Sequence, residues 1–360
     1  MRAYLPAYRL ITPASLDDAL DLLERGAGDW RLFAGGTDLM VLFAAGTLAP
    51  GKFLNIWNLS ELKEVHATSD HMILGALATY TRVQENEILQ SEFPMLCQAA
   101  FETGGIATQN RGTLGGNIAN ASPAADSCPP LLAYDAELEL VSARGSRWAP
   151  YRNFHTGYKK TIMRPDEIIA RIWVPRKSRS GRGEERESVG IIQPSRDGKG
   201  ADTESGGVGL EEGGSGRAGE RESGRGINAG APTGVRRWTA IGAYQHRVFH
   251  TSGNWTHYFR KVGTRKAQAI SKVCFSALAQ MESGTIGDIR IAIGSVAPTV
   301  IRCPRTESVL KDQEISRDAI VAARETLSEE IAPIDDIRST AGYRKRVAAN
   351  LLQEFLTGLA

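Results

Sequence analysis

The sequence predicts an α+β protein with a larger N-terminal part, a smaller C-terminal part and a low-complexity insert between them. The chain has 360 residues, 42% hydrophobic and 23% charged, which is enough to form the cores of two or three domains. Helical and strand patterns alternate on both sides of the insert. Residues 178–234 contain 16 glycines among 57 residues and no aromatic side chain, a composition that cannot bury enough apolar surface to become ordered.

The N-terminal part begins with a capped amphipathic helix, predicted over residues 15–23. Ser15 is placed to accept a hydrogen bond from the amide of Asp18, and apolar residues recur at helical spacing. The other predicted elements are strands at 31–34, 53–56, 72–74, 137–142 and 167–175, and a helix at 92–102.

The C-terminal part begins with a strand at 257–263 and continues with two strands, 269–279 and 286–295, that predict a hairpin. Two helices follow at 317–330 and 343–356. In the last helix, Val347, Leu351 and Phe355 recur every four residues, and this spacing predicts one buried stripe.

The insert separates two strands that we expect to lie close together. Its glycine-rich section, 178–234, predicts disorder, and 235–256 has aromatic residues but no clear period, so we expect low order there too. The insert is interpreted as a dispensable loop, as sequence outside the mature protein, or as a functional linker. The expected domains are 1–176, the insert 177–256, and 257–360.

Composition and charge exclude several classes of function. The 43 basic and 41 acidic residues give a net charge of +2, and such a balanced surface argues against nucleic acid as the main partner. The four cysteines are far apart and no CxxC motif is present, so we expect neither an iron–sulfur cluster nor zinc. The longest uncharged stretches, 39–51 and 112–125, are too short for a membrane helix, and no export signal is evident, so we expect a cytoplasmic protein without membrane insertion.

A first glycine turn follows the predicted strand at 31–34, in the sequence Ala34-Gly35-Gly36-Thr37-Asp38-Leu39. Adjacent glycines let successive amides point one way and form an anion nest at the start of a helix, with Asp38 as the cap of its first turn. A Gly-Gly pair is also typical of a plain tight turn.

A second polar stretch, residues 110–126, contains three glycines, several hydroxyls and amides, and a terminal carboxylate, Asp126. Ser122 and Pro123 predict the cap and first residue of a short helix. The simplest alternative is a long surface loop. Two nests could hold a pyrophosphate from both sides while Asp126 accepts ribose hydroxyls. Because neither turn is a GxGxxG fingerprint, the pattern favours a flavin dinucleotide over a nicotinamide dinucleotide.

Several motifs resemble those of one family, in the same order along about 280 residues. They are Ala34-Gly35-Gly36-Thr37-Asp38-Leu39, Arg111-Gly112-Thr113-Leu114-Gly115-Gly116-Asn117, Ser122-Pro123-Ala124-Ala125-Asp126, the stretch 154–161, the stretch 261–273 and the stretch 335–340. In these motifs the chain resembles the FAD-binding subunit of the molybdenum hydroxylases, the xanthine dehydrogenase and aerobic carbon monoxide dehydrogenase family.

The resemblance implies a fold and a set of FAD contacts. The expected fold is an FAD-binding domain of the p-cresol methylhydroxylase (PCMH) type in two subdomains, followed by an α+β domain of the CO dehydrogenase flavoprotein C-terminal type. Asp126 would contact a hydroxyl of the dinucleotide, Ile169 would pack near the flavin and Lys261 would approach it from the C-terminal domain, although the insert between Ile169 and Lys261 departs from the family. The expected loop residues are Leu32, Phe33, Ala34, Gly35, Gly36, Thr37, Asp38, Leu39, Thr113, Gly115, Gly116 and Asn117.

The implied function is electron transfer within a heteromeric oxidoreductase. A large molybdopterin-binding subunit would oxidise the substrate, and a small subunit with [2Fe–2S] clusters would pass electrons to FAD on this chain and on to an external acceptor. Two alternatives remain: a free-standing flavoprotein oxidoreductase of the same fold, or a non-functional remnant disabled by the insert. No histidine has a Ser or Cys partner in a nucleophile motif, so no hydrolytic site and no catalytic base is assigned.

Overall fold

The computed structural model of the chain describes residues 8–26, 28–176, 248–252, 254–265 and 268–360. The part of the predicted insert at 177–247 lies outside these residues. The described residues form three α/β layers, taken in chain order below.

The first layer is a small parallel sheet with two helices. Its strands, in the spatial order β1-β3-β2, run parallel, as expected for strands joined by helical crossovers. The Ser15 hydroxyl accepts from the amide of Asp18, which confirms the predicted cap, and the helix buries Ala19, Leu20 and Leu23 against the sheet. The elements are β1 (Tyr8–Ile11), α1 (Leu16–Arg25), β2 (Trp30–Phe33), α2 (Leu39–Ala44) and β3 (Gly51–Asn55).

The second layer is an antiparallel sheet of five strands, in the order β4-β5-β10-β6-β7, with helices between β5 and β6. Its strands are β4 (Val65–Ala67), β5 (His71–Gly75), β6 (Glu137–Ser142), β7 (Gly145–Pro150) and β10 (Ile168–Pro175), with a separate hairpin of β8 (His155–Gly157) and β9 (Lys160–Thr161). Its helices are α3 (Tyr80–Glu85), α4 (Glu87–Glu92), α5 (Pro94–Glu102), α6 (Ile106–Gln109), α7 (Leu114–Ala119) and α8 (Cys128–Ala133).

Of two helix predictions in this layer, one is confirmed and one is wrong. The helix predicted at 92–102 is observed as α5, which begins at Pro94 because the proline disfavours helical geometry at Phe93, where φ is −128° and ψ is 48°. Ser122 and Pro123, in contrast, start no helix: the Ser122 hydroxyl accepts from the Ala124 amide in a tight turn. The next helix begins at Cys128.

The third layer is an antiparallel sheet whose five strands follow chain order and pack against three helices. The hairpin predicted from 269–279 and 286–295 is confirmed as β13 and β14, and in the last helix Leu351 and Phe355 are buried while Val347 is partly buried. The elements are β11 (Val248–Thr251), β12 (Trp255–Val262), β13 (Val273–Glu282), β14 (Thr285–Gly294), β15 (Ile301–Arg302), α9 (Pro304–Leu310), α10 (Arg317–Glu330) and α11 (Ala341–Thr357).

The expectation of low order at 235–256 is wrong for the described part of that stretch. β11 pairs with β12 from Val248–Tyr258 to Thr251–Trp255, and Trp255 is buried in the core. Aromatic residues in a stretch without a visible period therefore belong to an edge hairpin, whose alternation is too short to detect in the sequence.

The second and third layers share a core and are joined by polar contacts. Phe259 and Leu278 pack in the same cluster as Leu131. Asp135, in the turn after α8, forms ion pairs with Arg290 and Arg302 of the third layer. These contacts fix the C-terminal part against the helices that carry the second glycine-rich loop.

Candidate functional site

The first glycine loop connects β2 to α2 and lies against the second loop. Gly36 has φ +77°, a conformation that side chains other than glycine rarely adopt. A Cβ added to Gly35 would lie 1.6 Å from the carbonyl oxygen of Arg111. Glycine at position 35 therefore allows the two loops to touch through their main chains.

The amides of the first loop provide free donors. Among the described residues, the N–H groups of Gly35, Gly36 and Thr37 donate no hydrogen bond. Three consecutive free amides beside a left-handed glycine match the anion nest that the sequence predicts. Leu32 and Phe33 end the strand that leads into this row of amides.

Asp38 does not cap α2 with its side chain, contrary to the sequence analysis. Its backbone is already helical, with φ −90° and ψ −48°, so the carboxylate cannot fold back over the first amides. Instead Asp38 Oδ1 accepts from Asn120 Nδ2 at 3.3 Å. This contact is a second link between the two loops.

The second loop is held in place by backbone hydrogen bonds to the residues that follow β5 in the second layer. Leu114 and Gly115 donate their amides to the carbonyls of Ala78 and Ala76, at 3.0 and 2.8 Å. The Thr113 hydroxyl is buried and accepts from the Gly116 amide at 3.1 Å, so it acts as the cap of α7. These bonds fix the loop without using its outer face.

The outer face of the second loop is open at Gly116. Apart from its chain neighbours and the backbone of its own helix, a Cβ built on this exposed residue would meet only the Thr113 hydroxyl within 4 Å among the described residues. The side-chain oxygen Oδ1 of Asn117 accepts from the Ser127 hydroxyl at 2.6 Å, whereas its side-chain nitrogen Nδ2 has no partner among the described residues. The loop therefore offers an open surface with a free side-chain donor.

A buried polar corner joins the second loop to the C-terminal part. Asp126 is 8% exposed, and its Oδ2 accepts from Lys261 Nζ at 2.7 Å. Its Oδ1 accepts from the Ser271 hydroxyl at 2.5 Å. Burial raises the pKa of the Asp126 carboxyl, and the Lys261 ammonium opposes this rise.

Lys261 has two partners, since Nζ also donates to the carbonyl oxygen of Glu102 at 2.8 Å. One of its three N–H donors is left for another contact. Ile169 is buried in the core beside Ala170, whose carbonyl accepts from the amide of Ala76 under the second loop. Neither the Asp126–Lys261 pair nor the role of Ser271 was predicted from the sequence, although Ser271 lies inside the motif at 261–273.

The β8–β9 hairpin supports the second loop from another side. His155 Nε2 donates to the carbonyl of Ile118 in α7 at 2.8 Å, and burial lowers the pKa of this histidine. Lys159 Nζ donates to Asn120 Oδ1 at 2.5 Å, so this lysine is paired at the surface.

The described ranges contain no group of three or more His, Cys, Asp or Glu side chains arranged to hold a metal ion. None of their helices has the length and apolarity needed to cross a membrane.

Comparison with known proteins identifies the two parts of the chain. The FAD binding domain in molybdopterin dehydrogenase matches residues 6–177, and the CO dehydrogenase flavoprotein C-terminal domain matches residues 257–359. The chain belongs to the FAD-binding subunits of the molybdenum hydroxylase family. FAD is thus its cofactor, and the α+β fold class predicted from the sequence is confirmed.

Relatives of this flavoprotein subunit align over nearly its whole length. The xanthine dehydrogenase FAD-binding subunit of Escherichia coli O157:H7 is 26% identical over 345 residues, covering 96% of this chain and 93% of the relative. The carbon monoxide dehydrogenase medium chain of Hydrogenophaga pseudoflava is 23% identical over 351 residues, covering 98% and 96%. A solved carbon monoxide dehydrogenase structure from Hydrogenophaga pseudoflava has a TM-score of 0.74 at 20% identity, covering 98% of this chain and 96% of that one.

The donor set of the flavoprotein subunit fits a dinucleotide. A pyrophosphate is anionic, and unpartnered main-chain N–H groups bind such groups without a side-chain charge. Gly35, Gly36 and Thr37 are partly exposed and Gly116 is exposed, so both loops are accessible to a ligand. When bound, FAD supplies the redox chemistry.

Proposed function

We propose that this chain is the electron-transfer subunit of a heteromeric molybdenum hydroxylase. It would receive electrons from [2Fe–2S] clusters on a small partner subunit and pass them through FAD to an external acceptor. A large molybdopterin-binding subunit would oxidise the substrate. The observation that carries the proposal is the contact of Gly35 with Arg111, which brings the loop with three free amides against the second glycine-rich loop.

In this proposal, both loops contact the diphosphate of FAD. The backbone amides of Gly35–Thr37 would hold the diphosphate of FAD. Gly116 and the side-chain Nδ2 of Asn117 would contact the same diphosphate from the second loop. Thr113 and Gly115 would keep the second loop in position through the bonds described above. The remaining first-loop residues would shape the wall of the site: Leu32, Phe33, Ala34, Asp38 and Leu39.

Three buried residues would complete the site around the flavin. The free N–H of Lys261 would reach the cofactor, while Asp126 holds the lysine and accepts a hydroxyl of the dinucleotide through a remaining lone pair. Ile169 would support the ring from the core. These residues bind and orient FAD; none is assigned as a general base.

The surface beside the site supports assembly with partner subunits. The four consecutive residues 40–43 of α2 (Met40, Val41, Leu42, Phe43) are exposed by 37–65%, directly after the first loop. Contiguous exposed apolar patches are uncommon on proteins that act alone. Relatives with names such as nicotine 6-hydroxylase medium subunit are parts of larger enzymes. We place the complex in the cytoplasm.

We also propose domain boundaries for the chain. The FAD-binding domain would cover 1–176, and the C-terminal flavoprotein domain would cover 257–360 together with β11 and the start of β12, which pair in the same sheet. The rest of the insert would be a tolerated connection between them, since the entropy of closing a loop grows slowly with its length.

The first experiment is FAD uptake followed by electron transfer. The purified chain is mixed with FAD and desalted, and we expect flavin absorption bands at about one equivalent, because the two loops together would form a single site. Next, the flavin spectrum is followed in the complex isolated with its partner subunits after the substrate of the complex is added.

The outcomes separate the candidate functions. Flavin bleaching in the complex but not in the isolated chain supports the proposal. Bleaching of the isolated chain by a substrate supports the free-standing flavoprotein oxidoreductase. A folded chain that takes up no FAD, with or without residues 177–247, supports the non-functional remnant.

A further inference from the structure

Trp57 lies near the first loop and is outside the motifs that predict the FAD site. It follows β3, and its amide donates to Asn55 Oδ1 at 3.2 Å, which fixes the turn after the strand. The adjacent residue Ile56 donates its amide to the carbonyl of Phe33, at the end of β2, 3.0 Å away. Trp57 and the first loop therefore leave neighbouring parallel strands at the same edge of the sheet.

Arg111 reaches this edge from the second loop. Its guanidinium carbon lies 3.9 Å from the centre of the Trp57 ring, a stacking distance. Its Nε donates a hydrogen bond to the carbonyl oxygen of Gly35 at 3.4 Å. The backbone carbonyl of Arg111 also contacts Gly35. One residue of the second loop thus touches the first loop through both its side chain and its main chain.

We propose that Arg111 and Trp57 form a clasp that sets the spacing of the two FAD loops. Arg111 is a positioning residue: its planar guanidinium stacks on the indole, and the stack keeps Gly35 against the second loop. The stack would thereby fix the spacing between the nest at Gly35–Thr37 and the second loop. This inference rests on the proposed use of the two loops for FAD.

The competing role for Arg111 is a direct charge contact with phosphate. The two roles differ in what a lysine can replace, because lysine keeps the charge but loses the planar stacking surface. They also differ for Trp57, since a phosphate contact needs no aromatic neighbour, whereas a clasp does.

The test compares FAD dissociation constants of the full-length chain and its variants by flavin fluorescence titration. A clasp predicts that Arg111→Lys and Trp57→Leu each weaken FAD binding by about tenfold, and that the double variant is no weaker than either single one. Trp57→Phe keeps a ring face and should restore most of the affinity. The melting temperature of the FAD-free protein should change little, since the stack is partly exposed.

A matched control lies in the same layer. Lys52 Nζ is 5.8 Å from the centre of the Trp30 ring, in a similar cation–ring contact distant from the two loops. Lys52→Gln should leave the affinity for FAD unchanged.

Two results overturn the clasp while leaving FAD binding intact. One is wild-type affinity in Arg111→Lys with strong loss in Arg111→Gln, which indicates a charge contact. The other is equal loss in Trp57→Phe and Trp57→Leu. Failure of the wild-type chain itself to bind FAD overturns the proposed function, and the clasp with it.

Discussion

The junction of the two loops and the corner at Asp126 are both polar, but they differ in how many groups have partners. At the junction, three successive amides donate to no described residue and the face of Gly116 is open. At the corner, both oxygens of Asp126 are bonded, and Lys261 has two acceptors. The first arrangement leaves three adjacent donors for a ligand, whereas the second uses most of its hydrogen-bonding capacity to join two parts of the protein and keeps one Lys261 N–H for the proposed contact with FAD.

Burial explains why the charged groups at the corner need partners. An unpaired charge inside a protein costs several kcal/mol, so Asp126 and Lys261 tolerate burial only together. The junction is accessible, and water satisfies its amides until a ligand displaces it. Changes at the corner should therefore act on stability as well as on the proposed contact with FAD, whereas changes at the junction should act mainly on FAD binding.

The largest expected effect is on stability at the corner. Lys261→Met removes the cation and leaves the Asp126 carboxylate buried without a charge partner, so we expect a loss of about 3–5 kcal/mol in the free energy of unfolding. Urea unfolding of the FAD-free chain measures it.

The exposed pair of Lys52 and Asp29, 2.8 Å apart, provides the control, and Lys52→Gln should cost less than about 1 kcal/mol. Equal losses in the two variants would remove the distinction between a buried corner and an ordinary surface pair.

The second prediction concerns contact at the junction. Gly35→Ala places a methyl group where the Arg111 carbonyl lies, so the loops must separate, at a cost of about 1–3 kcal/mol. We expect the affinity for FAD to fall by the corresponding roughly 5- to 150-fold, measured by fluorescence titration.

Gly51→Ala is the matched substitution, because no atom lies within 4 Å of its added Cβ and its φ is not positive. If Gly35→Ala binds FAD like Gly51→Ala, the close approach of the loops has no bearing on the cofactor.

The third prediction concerns the internal support of the second loop. Thr113→Val removes the hydroxyl that accepts from Gly116, and loss of such a cap costs about 1 kcal/mol. Stability and FAD affinity should both fall slightly, and Thr113→Ser should retain both. Unfolding and titration of the two variants side by side test this, and an unchanged Thr113→Val would show that the cap is dispensable.

The smallest expected effect is a pH dependence from His155. Burial lowers the pKa of His155 below its ordinary value near 6.5, so the unfolded chain takes up this proton at a higher pH than the folded chain. Stability therefore falls as pH decreases from about 6.5 towards the lowered pKa of the folded state. His155→Gln should show a smaller decrease between pH 7 and pH 5 in urea unfolding; an identical decrease would mean that other groups are responsible.

Local sequence signals predicted much of the fold and of the first loop. Ser15 and Asp18 are three residues apart, so the cap depends on local geometry alone and was found correctly. The glycines at 35 and 36 were recognised because a positive φ and a close approach restrict the residue type. The start of α5 at Pro94 was missed, although the proline provided the signal.

The sequence by itself determined the two-part α+β organisation, the glycine loops and, through their motifs, the family and its cofactor. Only the tertiary structure decided that Lys261 pairs with Asp126, 135 positions away, and that Arg111 stacks on Trp57. It also decided that Asp38 meets Asn120 instead of capping its own helix. The physical reason is that caps and turns depend on neighbouring residues, whereas side-chain partners across layers depend on how separate elements pack.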